Sequence, residues 1–319
     1  MDGNHRRKLI LSYAPDWIVT IVLGACFVAL NNSSGFKREF SFSDTSLYHP
    51  YAEHERIPPF ALYIIAGASP FLLQAMINYL TVRSWWDLHN STLGLVLSLA
   101  LSGVITQFVK VTVGRPRPDV ISRCMPPPGS VDPHWGLSNY TICTQTDDYI
   151  LKDGWRSFPS GHSSMSFSGL GFLTFYLAGK LHLFDHRGHA PKAWAALTPL
   201  SAAALVAISR TMDYRHHATD ILAGSLLGIA TAYFSYRQYF PSLSSRLSHR
   251  PYSPRIKREL LPVHAQSVPL AAGEEESEET DGELEHETIP RDEHGHVLWK
   301  DDGDRERREN MGLSAADNC

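Results

Sequence analysis

The sequence predicts an all-α protein: a bundle of six transmembrane helices followed by a disordered C-terminal tail. Three observations predict it. Apolar residues gather into six long runs, Lys and Arg collect at alternate ends of those runs, and the composition changes from about Pro251 to a basic, Pro- and Ser-containing stretch and then an acidic run. The averages conceal this, because 43% hydrophobic and 19% charged residues with a mean hydropathy of −0.18 would suit a soluble protein. A lipid span needs about 20 mostly apolar residues in sequence, so distribution decides the class.

The runs cover 15–30, 60–80, 91–109, 163–178, 193–208 and 218–236. The second, third and sixth are the most apolar. The others are shorter or richer in small residues, which are common where membrane helices pack closely, as in the pair Gly224 and Gly228. Buried helices of a soluble protein rarely repeat at this length without a polar face. The first run follows Arg6, Arg7 and Lys8 and could be a signal peptide, but Pro15 and Asp16 at its start favour an uncleaved span.

Basic residues set the orientation. The N-terminus, the segment with Lys180, Arg187 and Lys192, and the stretch from Arg237 to Arg258 share one side of a six-span chain, which the positive-inside rule makes cytosolic. The loop between the third and fourth runs then faces a lumen or the outside. It holds Cys124 and Cys143, either a disulfide suited to an oxidising compartment or two free thiols. It also holds the glycosylation acceptor pattern Asn139-Tyr140-Thr141. The expected division is a membrane domain over 1–245 and a cytosolic acidic tail over 246–319. That tail has too little apolar surface to offset the entropy of ordering. Ser277 and Thr280 stand there among acidic residues as phosphorylation candidates, and Asp302-Gly303-Asp304 reads as solvated charge.

Three polar clusters end or open the spans. The stretch from Lys110 to Pro118 closes the third, with Pro116 and Pro118 stopping the helix and Lys110 and Arg117 free to turn to a common point. Phe158-Pro159-Ser160-Gly161-His162 opens the fourth, where free N–H groups of a helix start attract anions. The stretch from Ser209 to Asp220 bridges the fifth and sixth. There His216 and Asp220, four apart, share a helix face on which the carboxylate can hold one imidazole nitrogen. Each cluster alone has a structural explanation: an interfacial anchor, a capping histidine, a structural His–Asp pair. Topology brings all three to one side. Three cations with helix N–H groups suit a phosphoryl group, and two histidines, one backed by an aspartate, suit a nucleophile and a proton donor.

The pattern Lys-x6-Arg-Pro at 110–118, Pro-Ser-Gly-His at 159–162 and Ser-Arg-x5-His-x3-Asp at 209–220 resembles the type 2 phosphatidic acid phosphatase superfamily, the lipid phosphate phosphatases. The resemblance covers roughly residues 10–245. His54-Glu55-Arg56-Ile57-Pro58 looks like the fungal and plant branch that includes diacylglycerol pyrophosphate phosphatases. The resemblance implies that His216 attacks phosphorus, Asp220 orients it and His162 protonates the leaving oxygen. It implies that Lys110, Arg117, Ser160, Arg210 and the Gly161 N–H hold the phosphate. It also implies no cofactor and independence of Mg2+.

The expected substrate is a lipid phosphate such as phosphatidate, diacylglycerol pyrophosphate or lysophosphatidate. Dolichyl diphosphate, a sphingoid-base phosphate, a sugar phosphate and a non-catalytic lipid-phosphate binder remain alternatives. No nucleic-acid partner is expected. The membrane is vacuolar, Golgi, endoplasmic reticulum or plasma membrane, with the site luminal or extracellular, and the oligomeric state stays open.

Overall fold

The computed structural model describes residues 3–185 and 188–255. Six long helices account for most of them: α1 (Gly3–Asn32), α2 (Pro59–Val82), α3 (Trp85–Val113), then, after two short helices α4 (Val120–Cys124) and α5 (Asp148–Gly154), α6 (Gly161–Lys180), α7 (Ala190–Met212) and α8 (Ala218–Tyr239). Ala14–Pro251 forms one unit, and the other described residues, 3–13 and 252–255, belong to a second. The expected tail boundary at 245 falls inside the first unit: Ser248 is buried, and its carbonyl accepts from the Tyr236 hydroxyl at 3.4 Å. The rest of the expected tail, from 256 on and including Ser277, Thr280, Asp302 and Asp304, lies outside the described residues.

Five of the long helices are long and apolar enough to cross a membrane. Their outward faces carry large exposed apolar side chains, among them Ile18, Val22, Leu72, Phe108, Leu205 and Leu226, as a lipid-facing surface requires. The sixth, α6, is long enough but less apolar, and its position explains why. It packs against α3, α7 and α8, so its Ser163, Ser164, Ser166, Ser168 and Thr174 are buried against protein rather than lipid. The serine hydroxyls find partners there: Ser168 meets Ser98 at 2.6 Å, and Thr106 donates to Ser164 at 2.8 Å. Small residues bring the backbones together. A Cβ added to Gly224 or Gly228 would stand 2.6 or 2.5 Å from the carbonyl oxygens of Ser160 and Ser164, and one added to Gly169 would overlap the Ala66 carbonyl. The small-residue pair seen in the sequence is thus the contact between α8 and α6.

The helices run past the apolar runs where charges are matched inside the bundle. α3 begins at Trp85, six residues before the expected 91, and buries Asp87. That carboxylate accepts from Asn78 Nδ2 (2.9 Å), the Tyr176 hydroxyl (2.7 Å) and Lys180 Nζ (2.5 Å). α2 contains two wider π turns, Ile64–Ala68 and Asn78–Val82, that periodicity did not suggest. α3 ends at Gly114, whose φ of +56° is the left-handed conformation that only glycine adopts without cost.

The ends of α1, α3 and α7 and the starts of α2, α6 and α8 meet at one end of the bundle, capped by the segments 33–58 and 114–160. A small core of Phe40, Leu47, Val120, Cys124 and Trp155 holds the cap together. Cys124 and Cys143 are joined by a disulfide that closes it. Asn139 is exposed on it. Arg156 and Lys152 fasten the cap to α1 by donating to the carbonyls that end that helix, Arg156 to Asn31 at 2.9 Å and Lys152 to Asn32 at 2.9 Å.

Gly169→Ala is expected to destabilise the folded protein by about 1–3 kcal/mol, because the α6 backbone must back away from α2. Thermal unfolding in detergent measures this, with the exposed Cys26→Ala as the neutral control. An unshifted midpoint for Gly169→Ala would mean that the two helices are further apart.

Candidate active site

Where the six helix ends meet, a cleft of about 140 Å³ opens, lined by Lys110, Arg117, Gly161, His162, Arg210 and His216 from the three sequence clusters. The last residues of α3 supply Lys110, the first turn of α6 supplies Gly161 and His162, the last turn of α7 supplies Arg210, and the turn before α8 supplies His216. Topology alone had put these on one side, and the chain folds them onto one cleft.

His216 is buried. Its Nδ1 lies 2.7 Å from the Ser157 carbonyl oxygen. A carbonyl only accepts, so Nδ1 carries the proton and Nε2 keeps the lone pair. Burial, reinforced by Arg117 and Lys110, pushes this imidazole down to about 3 against the opposing pull of Asp220. It is therefore neutral near pH 7.

Asp220 does not bond His216 directly. Its Oδ2 stands 3.9 Å from Nδ1. The carboxylate accepts instead from the Ser157 hydroxyl (2.5 Å), the His217 backbone N–H (3.0 Å) and Arg115 (2.6 Å). Ser157 thus links the two, taking its hydroxyl to Asp220 and its carbonyl to His216. The i, i+4 spacing did not hold because His216 precedes the helix, which starts at Ala218 with His217 as its cap.

His162, in the first turn of α6, places Nε2 3.0 Å from the Ile57 carbonyl and 3.9 Å from Glu55 Oε2. Ser160 is not in the cleft. Fully buried, it caps α6, its hydroxyl accepting from the Ser163 N–H (3.4 Å) and the Ser163 hydroxyl (3.0 Å). The Gly161 and His162 N–H groups have no preceding helical carbonyl to bond. Lys110 Nζ comes to this turn, 3.6 Å from where a Cβ on Gly161 would sit.

The cations are held in different ways. Lys110 is buried and makes no hydrogen bond or ion pair with a described residue. Arg117 is pinned by Asp153, through the backbone carbonyl and Oδ1, both at 2.8 Å. Arg210 lies between Glu55 (2.6 Å) and Asp213 (2.9 Å). Arg215, which the sequence reading passed over, joins them by pairing with Glu55 (3.0 Å) and Asp153 (3.3 Å). Although burial works against it, Arg117 and Arg123, with Lys110 and Arg215, hold the Asp153 carboxyl well below the usual carboxylate range. Glu55 is a carboxylate lying between two guanidiniums inside the cleft, the arrangement with which arginines take up an anion. Glu55, Asp153 and Ser157 also escaped the sequence reading. Glu55 lay in the quoted His54–Pro58 stretch, but nothing in the spacing tied it to Arg210, 155 residues away. Among the described residues, no three His, Cys, Asp or Glu side chains are grouped as a metal site needs.

Comparison with known proteins gives a consistent picture. Residues 91–243 match the family model of the PAP2 superfamily. Lipid phosphate phosphatase 2 of Arabidopsis thaliana is 40% identical over 71% of this chain and 77% of its own length. A probable diacylglycerol pyrophosphate phosphatase 1 of Schizosaccharomyces pombe is 40% identical over 74% of this chain and 84% of its own. Diacylglycerol pyrophosphate phosphatase 1 of Saccharomyces cerevisiae is 38% identical over 68% and 75%. No solved structure matches the chain.

The low position of His216 has a consequence for stability. The unfolded chain takes up a proton at this imidazole near 6.5, the folded chain only near 3. Between those values the unfolded state binds more protons, so stability falls as pH drops through the window. The melting temperature of the wild type should therefore fall more steeply from pH 6.5 to 4 than that of His216→Asn. Parallel slopes would show that the imidazole is open to protonation.

Proposed function

We propose that this chain, which belongs to the PAP2 superfamily, is an integral membrane phosphatase that hydrolyses lipid phosphates such as phosphatidate, diacylglycerol pyrophosphate and lysophosphatidate. The observation that carries the reading is a buried neutral imidazole, lone pair on Nε2, in a cleft that also holds a lysine with no described partner and three guanidiniums at the end of a lipid-facing bundle. The names of the relatives support the lipid phosphate as substrate.

In the first step His216 Nε2 forms a bond to phosphorus and the bond from phosphorus to the lipid oxygen breaks. His162 gives that oxygen a proton, and the dephosphorylated lipid leaves. In the second step water attacks the phosphohistidine, His162 takes the proton back, and the P–N bond breaks to release phosphate and neutral His216. Lys110, Arg117, Arg210 and the Gly161 N–H stabilise the charge on the equatorial oxygens, with Arg215 beside them. Ser160 supports the Gly161 turn as its cap. Asp220 acts through Ser157. The cationic side chains supply the charge screening that a metal gives in other phosphatases, so turnover should not need Mg2+. The site faces the lumen or the outside, a reading supported by the Lys and Arg bias of the opposite loops and by the disulfide in the cap.

Purified protein should release phosphate from phosphatidate in excess EDTA. Loss of activity in EDTA with rescue by magnesium would overturn the metal-free mechanism. His216→Ala should form no phosphoenzyme on any substrate. His162→Ala should lose on the order of 10²-fold or more on a lipid phosphate, whose alkoxide leaves poorly, and much less on an activated aryl phosphate. Equal losses on both substrates would remove His162 from the proton-donor role. In cells, glycosidase should shift the mobility of the wild type and not of Asn139→Gln. Cleavage of the Asn139 loop by protease on the cytosolic side would reverse the topology.

A further inference from the structure

α1 is tied to the bundle near both ends of its membrane span. At one, Trp17 Nε1 donates to His89 Nε2 (3.3 Å) and the Tyr239 hydroxyl donates to Asp16 (3.2 Å). At the other, Arg156 and Lys152 hold the final carbonyls, and Gln107 Nε2 donates to Asn31 Oδ1 at 3.1 Å. Between these ties α1 stands away from α3, and a Cβ on Gly24 would have no atom within 4 Å. The space is a groove of about 320 Å³. Its walls include Ile21, Gly24 and Phe27 on α1, Leu99 and Gly103 on α3, and Met165 on α6.

Three of these residues, Phe27, Gly103 and Met165, also line the cleft that holds His216. The Phe27 ring lies against Gly103 at this neck, where a Cβ on Gly103 would come within 3.0 Å of it. Met165 is one helical turn from His162, so one face of α6 presents the histidine to the cleft and the thioether to the groove. From Phe27 the groove follows α1 back to Trp17, ten residues or about 15 Å along the helix, away from the cations and into the span.

We propose that this groove takes an acyl chain of the substrate while the phosphate lies at His216, with Gly24 setting the room for the chain. The inference rests on the phosphatase reading above. Continuity of the two spaces and their opposite chemistry support this occupant: cations at one end, an apolar trough at membrane depth at the other, matching an amphiphile with a phosphate head. A lipid with its head at one face of a bilayer runs its chains toward the midplane, the direction in which the groove leaves the cleft.

The test compares dioleoyl with dibutyryl phosphatidate, each at matched surface concentration in the same detergent, on the wild type, Gly24→Leu, Gly24→Ala and the lipid-facing Cys26→Leu. Gly24→Leu extends a side chain into the groove from a Cβ that would have no atom within 4 Å, so the protein should fold. It should cut kcat/KM for the dioleoyl substrate by roughly 10-fold or more and leave the dibutyryl value close to wild type. Gly24→Ala should lie between the two, and Cys26→Leu should match the wild type on both. Equal losses of Gly24→Leu on the long and the short substrate, or no loss on either, would overturn the groove assignment while leaving the phosphatase reading intact. Failure of the wild type on both substrates would sink that reading, and this inference with it.

Discussion

Several guanidiniums and a lysine converge at one end of this bundle, and their mutual repulsion must be offset before any site can exist. Asp153 does most of this. It accepts from Arg117 and Arg123 and pairs with Arg215, and it sits on α5, a short helix that belongs to the cap rather than to any span. The cap is therefore part of the structure that holds the cleft. Phe40, Trp155 and the Cys124–Cys143 bridge hold α5 in place. Glu55, from the other cap segment, performs the same service for Arg210 and Arg215. Removing one partner from such a buried set would leave an uncompensated charge at a cost of about 3–5 kcal/mol. Among the cations of the cleft, Lys110 alone makes no hydrogen bond or ion pair with a described residue, and in the proposed reading that is the position at which a dianionic phosphate gains most.

The same requirement for internal partners shapes the centre of the bundle. α6 is lined with serines and glycines because it meets protein on most of its faces. Its serine hydroxyls bond to α3 and to its own carbonyls, and its glycines and those of α8 let the backbones approach. That close packing fixes the first turn of α6, hence Gly161 and His162, relative to α8 and the His216 turn. The Ser160 N–H even donates to the Asp220 carbonyl at 2.9 Å, joining these two segments through their backbones.

Much of this could be read from the sequence, for identifiable reasons. Long apolar runs are a direct consequence of lipid as solvent, so the number and order of helices were legible. Their limits were not, because Asp87 and Lys180 neutralise one another inside the bundle and let α3 and α6 continue through charges. The cleft residues Lys110, Arg117, His162, Arg210 and His216 were legible because helix ends on one side must converge. Ser160 was misplaced, since a serine before a helix serves equally as a cap or as a ligand and only coordinates distinguish the two. Glu55, Asp153, Arg215 and Ser157 went unread because each acts through contacts distant in sequence, which no spacing rule encodes.

The relation of Asp220 to His216 shows what those unread contacts contribute. A carboxylate bonded directly to Nδ1 would raise the basicity of the imidazole and favour its protonation in the resting protein. Here the Ser157 carbonyl takes that position at 2.7 Å, which fixes the tautomer without adding a full negative charge. Asp220, already neutralised in part by Arg115 and by the Ser157 and His217 donors, remains 3.9 Å away. In the proposed mechanism its attraction grows when His216 becomes cationic on bonding phosphorus through Nε2, because in a low-dielectric interior a charge at that distance is felt strongly. The arrangement keeps the free histidine neutral and supports it when it is charged, so the stabilisation falls on the intermediate rather than on the resting site.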